Sequence, residues 1–373
     1  MFYFDNLTYL YMSRILFLTA NLSSGGAERQ MVTVASLLNE QGFIVEVLCY
    51  GKGDFYSYIL NDNNIPIYWN TEDNYLLRIL RVRKFIRRGN YNAVISFLEM
   101  PNFLNCLSSI GGNDWKVITG ERSSKKRTFL SKKGKIFAWF RRFSNYIVCN
   151  SDNARKMWIE YYPQFSNKLI TIYNNVQLPV ISSEYIPKRD DKLHIVIAAS
   201  YQYLKNPIGV VKALSLLNEI QRKKICVNWY GQIEIAKINS RPYDEAVKLI
   251  SENNLEGTIY LNKPTTDIAN IMNAADFVGL FSELEGLPNA VCEAMLIGKP
   301  IIMTRVSDYA KLVDDTNGFL CDWDNPESIK DAFVSAINLN EEKLRSMSEN
   351  SKKKAESFFS KEKVLSSWLE LLK

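Results

Sequence analysis

The sequence predicts an α/β protein built from two doubly wound domains, each with a parallel sheet. Three observations carry this reading. Short apolar runs rich in β-branched residues alternate with amphipathic helical stretches, the pattern restarts once after the polar stretch Ser182–Lys192, and 373 residues, 47% of them hydrophobic, are enough for two separate cores.

The first series of strand-like runs is Arg14–Ala20, Ile44–Cys49, Ala93–Phe97, Lys116–Thr119 and Tyr146–Cys149. Each is short and nearly continuous in apolar residues, as expected of strands buried on both faces by helices. The second series is His194–Ala199, Ile225–Trp229, Thr258–Leu261, Phe277–Phe281 and Pro300–Thr304. The division drawn from this is a Rossmann-like domain over 1–180, with 1–12 as a peripheral arm, a linker over 181–192 and a second Rossmann-like domain over 193–355. Residues 356–373 carry a final helical pattern, Lys361–Leu372, expected to pack back on the first domain. Such sheets bind ligands beyond the carboxyl ends of their strands, so two of them face to face would form a deep interdomain cleft.

Composition narrows the classes. Charged residues are 23% and aromatics 12%, which excludes a disordered chain. No apolar run approaches the ~18 residues of a membrane-spanning helix. Met1–Tyr11 has neither a basic leader nor a clean apolar core and does not read as a signal peptide. The six cysteines are scattered with no CxxC or Cys/His cluster, which argues against zinc and redox motifs and fits a reducing, cytoplasmic compartment.

Two segments carry candidate chemistry. Gly25 and Gly26 stand where the first strand hands over to a helix patterned by Met31, Val34, Ala35 and Leu38. Glycine there admits an anion close to the backbone and to the helix N-terminus, and a plain tight turn reads as well. The segment Phe281–Met295 is more informative. Gly286 and Pro288 shape a loop after a buried strand, a helix is expected from Pro288 or Asn289 to Gly298 with Asn289 as cap, and two carboxylates frame the unit. Glu285 lies in the loop, where it can reach sugar hydroxyls. Glu293 lies in the first turns of the helix, where it can accept from ribose hydroxyls. Amides from Leu287 to Ala290 can hold phosphate.

This segment resembles the E-x7-E motif of glycosyltransferase family 4, whose members are retaining enzymes of the GT-B fold. The match extends to Asn273–Asp276 upstream, Gly298-Lys-Pro300 downstream and the Gly25–Arg29 loop, and covers nearly the whole chain in order. The loop is especially similar to members that extend lipid-linked or capsular glycans. The resemblance implies that Glu293 binds the donor ribose, that Glu285 contacts the transferred sugar, and that Gly286, Leu287, Pro288 and Asn289 hold sugar and diphosphate. It implies that Lys205, followed by Asn206, neutralises the diphosphate, and that Gly231, Lys263 and Pro264 line the base and phosphate region. Gly25 and Gly26 join this donor set.

The chain departs from the family in two places. Ser200 stands where relatives carry an arginine five residues before the lysine, so Ser200 hydrogen bonds and another cation are expected to assist Lys205. The single histidine, His194, opens a second-domain strand and reads as structural, so the first-domain catalytic role passes to Glu99 or to the Glu121–Arg122 pair. Arg122 fits an acceptor phosphate or an ordinary ion pair equally. Asp322-Trp-Asp324 reads as a helix cap, and no metal or other cofactor is expected; the leaving charge falls to Lys205, helix N-termini and the glycine loop.

Basic, aromatic-interleaved segments occur at 78–88 and 122–142, the latter with nine Lys or Arg and no acid. They suit an anionic membrane surface or a polyprenyl pyrophosphate, with a solvated helix face as the plain alternative; no nucleic-acid module is present. The expected activity is metal-independent, retaining transfer of a hexose or N-acetylhexosamine, from a UDP-sugar, onto a surface polysaccharide or lipid-linked oligosaccharide at the inner membrane face. Glu285, Lys205 and Glu121 are its catalytic candidates. Two alternatives stay open: an epimerase of the same fold, which would need acid/base groups across the cleft, and a non-catalytic nucleotide-sugar-binding scaffold.

Overall fold

The computed structural model describes residues 13–23, 25–122, 129–176, 190–233 and 240–373. The chain forms two compact units, Met1–Asn175 together with Lys361–Lys373, and Val176–Ser360. The peripheral arm 1–12 and most of the linker lie outside the described residues.

The first unit contains β1 (Arg14–Thr19), α1 (Gly26–Glu40), β2 (Ile44–Cys49), α2 (Ser57–Asp62), β3 (Ile67–Trp69), α3 (Tyr75–Arg88) and β4 (Ala93–Phe97). It continues with α4 (Glu99–Ser109), β5 (Lys116–Glu121), α5 (Lys132–Phe140), β6 (Tyr146–Cys149), α6 (Asp152–Tyr161) and β7 (Leu169–Thr171). The sheet runs β3-β2-β1-β4-β5-β6-β7, every pairing parallel. Alternation along β1 explains its burial. Ile15 and Phe17 join one core with Val47 and Ile95, while Leu16 and Leu18 face the other with Leu48 and Val94.

The second unit holds β8 (Leu193–Ala198), α7 (Pro207–Ser215), α8 (Glu219–Lys223), β9 (Ile225–Tyr230), α9 (Arg241–Glu252), β10 (Ile259–Asn262), α10 (Ile268–Ala274) and β11 (Phe277–Leu280). After these come α11 (Asn289–Ile297), β12 (Ile301–Thr304), α12 (Tyr309–Leu312), β13 (Gly318–Cys321), α13 (Pro326–Ile337) and α14 (Glu341–Phe359). Its parallel sheet runs β10-β9-β8-β11-β12-β13. The last helix, α15 (Lys361–Leu372), belongs to the first unit. Val364, Trp368 and Leu371 enter its core, the Trp368 ring lies 6.2 Å from Phe97, and Lys361 pairs with Glu40 at 2.5 Å.

Three strands escaped the sequence reading: β3, β7 and β13. All three are sheet edges of three or four residues, too short to show a period. Two cap readings are corrected. Helix α11 starts at Asn289 with Pro288, not Asn289, in the cap position and no side-chain cap bond. Helix α13 is capped by Asn325, whose side chain accepts from the amides of Glu327 and Ser328; Asp322 instead pairs with Arg305 at 2.7 Å. The αL Gly298 ends α11 as expected. All six cysteines are buried free thiols.

Candidate functional site

The strand order of the second sheet reverses between β8 and β11, so the loops leaving these two strands diverge and open a crevice. The first loop carries Ser200, Lys205 and Asn206; the second carries Glu285 and Gly286. Their meeting is direct. Lys205 Nζ lies 2.5 Å from Glu285 Oε1, with 20% and 12% of the two side chains exposed. Ser282 Oγ donates to the same carboxylate oxygen at 2.7 Å, and the Glu283 amide donates to the Leu204 carbonyl at 2.8 Å, which clasps loop to loop.

Each loop is braced from below. Asn206 adopts αL geometry (φ 64°) and its side chain caps α7 through the Gly209 amide, while its amide nitrogen donates to the Trp323 carbonyl at 2.7 Å. Asn tolerates that conformation because its side chain bonds locally. Thr304 Oγ1 donates to the Ser282 carbonyl at 2.6 Å, and the Ser307 hydroxyl donates to the Gly286 carbonyl. Tyr201 OH donates to the carbonyls of Trp229 and Asn262, both at 2.9 Å, tying β8 to β9 and β10 beneath the crevice. Gly231 has a steric reason to be glycine, since a Cβ there would stand 1.9 Å from the Ala199 carbonyl oxygen.

Leu287 and Pro288 are buried and fix the start of α11. The amides of Val291 and Cys292 donate to the Pro288 carbonyl, so the first turn ahead of them points its N–H groups along the helix axis toward the crevice loop. Glu293 follows in the second turn, half-buried. Ser200 is half-buried, and its hydroxyl accepts from Gln202 Nε2 at 2.8 Å. Lys263 and Pro264 are exposed at the end of β10, two strands from β8, and do not join the Lys205–Glu285 contact. His194 sits at the other end of β8, bonded through its ring to Asp190 at 2.9 Å and through its amide to Asp276.

The remaining candidates belong to the first unit. Gly25 caps α1 and Gly26 opens it, after β1; Glu99 opens α4, after β4; the two loops flank that sheet's own reversal. Leu98, immediately before Glu99, has φ 72° and ψ 163°, a region costly for any residue but glycine. The buried Ser96, Asn102 and Asn105 brace this corner: Asn102 Nδ2 donates to the Gly120 carbonyl at 2.8 Å, and Asn105 Nδ2 to the Val94 carbonyl at 2.9 Å.

Glu121, ending β5, accepts from Trp158 Nε1 at 3.2 Å and lies 3.8 Å from the buried Arg141. Glu99 and Glu121 share a recess with Arg141, of about 20 Å³, room for about one water and not for a sugar. Arg122 is turned inward. Its guanidinium lies 3.7 Å from the Phe97 ring centre and donates to Asn174 at 2.9 Å, and burial lowers its pKa to about 10.

The basic segments are also less free than their sequence suggests. On α3, Arg83 donates to the carbonyls of Leu107, Ser108 and Ile110, and Arg87 to those of Ser108 and Gly112, so both serve the C-terminus of α4. Arg78 donates to the Glu72 carbonyl at 2.7 Å, and Arg81 pairs with Glu72 at 3.0 Å. On α5, Ile136 and Trp139 are exposed beside Lys132, Lys133 and Lys135; residues 123–128 lie outside the described set. No described helix is long and apolar enough to cross a membrane.

Residues 24–178 match the family Glycosyltransferase Family 4, and residues 181–354 match Glycosyl transferases group 1. An uncharacterized glycosyltransferase of Haemophilus influenzae is 25% identical, with 97% of this chain and all of the relative covered. A Campylobacter jejuni relative is 23% identical over 97% of this chain and 98% of its own length, and is named as an α-1,4-N-acetyl-D-galactosaminyltransferase acting on a diNAcBac-PP-undecaprenol-linked glycan. The crystal structure of Anabaena Alr3699/HepE in complex with UDP superposes with a TM-score of 0.83 at 18% identity, covering 96% of this chain and 99% of that one.

Proposed function

Starting from the chain's membership of the group 1 and family 4 glycosyltransferases, with the GT-B fold, we propose that it transfers a hexose or N-acetylhexosamine from a UDP-sugar, with retention, to a lipid-linked oligosaccharide or growing surface polysaccharide. The observation that carries the site assignment is the Lys205–Glu285 pair at the reversal of the second sheet. Without donor, each charge neutralises the other. A diphosphate arriving at the N-terminus of α11 competes for Lys205, and Glu285, still held by Ser282, turns to the hydroxyls of the sugar.

In this reading the bond from the sugar's anomeric carbon to the diphosphate oxygen breaks while the acceptor oxygen bonds to the same face of that carbon. The acceptor proton passes to the departing phosphate oxygen, and Lys205 with the α11 amides stabilises the charge on the leaving group without a metal. Glu293 holds the ribose. Ser200 offers a hydrogen bond but no charge where relatives place arginine, so Lys205 bears more of the load. Undecaprenyl-linked substrate in the name of the Campylobacter relative supports a lipid-linked acceptor. It also supports peripheral contact with the inner membrane face, made by the exposed α5 residues Lys132, Lys133, Ile136 and Trp139 and by the remaining cations of α3.

Thermal stabilisation by UDP, GDP, ADP and their sugars, with and without Mg²⁺, tests the donor site. A shift specific to UDP compounds, indifferent to Mg²⁺ and weakened in Glu293→Ala, is expected. Product NMR then reads the new linkage, and an inverted anomeric centre would overturn the retaining assignment.

A further inference from the structure

A second pocket opens on the first unit, at the end of β1 opposite the loop of Gly25 and Gly26. It lies between α3 and the β1–β2–β3 side of the sheet and has a volume of about 480 Å³, within the usual range of small-molecule sites. Its floor is built. Arg14 Nη2 lies 2.6 Å from Glu46 Oε1, Tyr91 OH donates to Glu46 Oε2 at 2.7 Å, and Arg14 Nη1 donates to the Gly89 carbonyl at 2.8 Å. One oxygen of the buried Glu46 therefore holds the guanidinium, and the Tyr91 hydroxyl holds the other. That guanidinium lies 5.3 Å from the Tyr91 ring centre and keeps donors beyond its two bonds. Bonding to Glu46 raises the Arg14 pKa further.

The rim is cationic and unbalanced. Lys84 and Arg88 of α3 line the pocket and have no ion-pair or hydrogen-bond partner among the described residues. They are four residues apart on one helix face, a like-charge spacing that is unfavourable by itself and relieved by a shared anion. Among the described lining residues Glu46 is the one carboxylate, and Arg14 already neutralises it. One wall is aromatic, with the Tyr68 and Phe85 rings 5.1 Å apart and Tyr68 partly exposed.

We infer that this pocket binds a phosphate ester with a compact, sugar- or ring-sized body, at a site distinct from the donor crevice. The phosphate sits between Lys84, Arg88 and the Arg14 guanidinium, in charge-assisted hydrogen bonds, and the body rests on Tyr68. A soluble sugar phosphate and the headgroup of an anionic phospholipid share this chemistry. The inference does not rest on the transferase reading, since no residue of the second unit takes part.

The test uses the full chain and two probes. Glucose 6-phosphate is titrated by calorimetry, and vesicles of phosphatidylcholine with and without phosphatidylinositol are used in co-sedimentation. The variants are Lys84→Ala/Arg88→Ala, Tyr68→Ala, the donor-site variant Lys205→Met, and Lys223→Ala/Lys224→Ala as an equal charge loss on an exposed surface elsewhere. Saturable glucose 6-phosphate binding weakened about tenfold or more by the first two, and unchanged in the last two, establishes a soluble ligand. The same pattern seen only with phosphatidylinositol vesicles assigns the site to a lipid headgroup. Binding lost equally in Lys223→Ala/Lys224→Ala, or no dependence on Lys84, Arg88 and Tyr68 with either probe, overturns the inference.

Discussion

Replacing Lys299 with methionine isolates the cost of one buried amine. Lys299 follows the αL Gly298 at the end of α11, is 3% exposed, and is with Arg141 one of two buried cationic side chains among the described residues. Burial lowers its pKa to about 8, against an opposing pull from Asp276. In the unfolded chain the amine titrates near ~10.4. Between these values the unfolded state holds a proton that the folded state has released, so the Lys299 contribution to stability rises with pH across that window and is least favourable below it. The difference between the two pKa values corresponds to about 3 kcal/mol at neutral pH, falling to about 1 kcal/mol near pH ~10. Methionine is close to lysine in length and carries no charge, and the Lys299 amide bond to the Ala294 carbonyl is untouched by the change.

Lys299→Met is therefore expected to stabilise the second unit at pH 7 and to lose most of that advantage by pH 10. Urea unfolding followed by tryptophan fluorescence over this range is the assay, with the wild-type curve subtracted at each pH. The subtraction matters. Buried thiols such as Cys49 and Cys321, pushed up to about 12 by desolvation, make the whole protein less stable as pH rises through the ordinary thiol range, and they do so equally in both proteins. A variant whose advantage is independent of pH would refute the argument, because it would place the amine in contact with water in the folded state.

Glu285→Gln is expected to keep the Ser282 hydrogen bond, lose the ion pair with Lys205, destabilise the protein by about 1–3 kcal/mol and lower transfer by about a hundredfold or more in a radiolabelled-sugar assay. Lys205→Met should lower both donor affinity and turnover, and wild-type turnover in either variant would remove the pair from the mechanism. Leu98→Gly should be more stable than Leu98→Ala by about 1 kcal/mol or more in denaturant titration, since both give up the burial of a leucine that is 37% exposed but only glycine adopts the φ of 72° without strain; equal stability of the two variants would mean that the conformation is not strained. Trp368→Ala should cost about 3–5 kcal/mol and act on the first unit, read as lost protection of β1 and β4 amides in hydrogen exchange.

The central strands were legible because burial on both faces leaves long apolar runs, whereas β3, β7 and β13, sheet edges of three or four residues, were not; β10, an edge of the same length, was legible through the consecutive Ile259, Tyr260 and Leu261. The two partners of the site, Lys205 and Glu285, were each legible from their own loops. Their contact was not, because eighty residues separate them and only the strand order brings β8 beside β11. Charge was the least legible property. Arg83 and Arg87 read as part of a free basic face, yet they close the carbonyl end of a neighbouring helix, and Arg122 reads as a ligand contact while stacked on Phe97. A guanidinium carries five donors, and nothing in a linear pattern says whether a backbone carbonyl, a ring or a solute will use them. Ser282 and Ser307, which hold the Glu285 loop, had no signal beyond their nearness to it.

The return of α15 to the first unit has a consequence for biogenesis. The residues that cover Phe97 leave the ribosome only after all of Val176–Ser360. At ~5–20 residues per second, the first unit waits on the order of ten seconds or more with an apolar seat uncovered. During that interval the emerging chain presents a ready landing place for holdase chaperones, and a ribosome stalled short of Lys361 would release a product whose two sheets are complete and whose first core is still open.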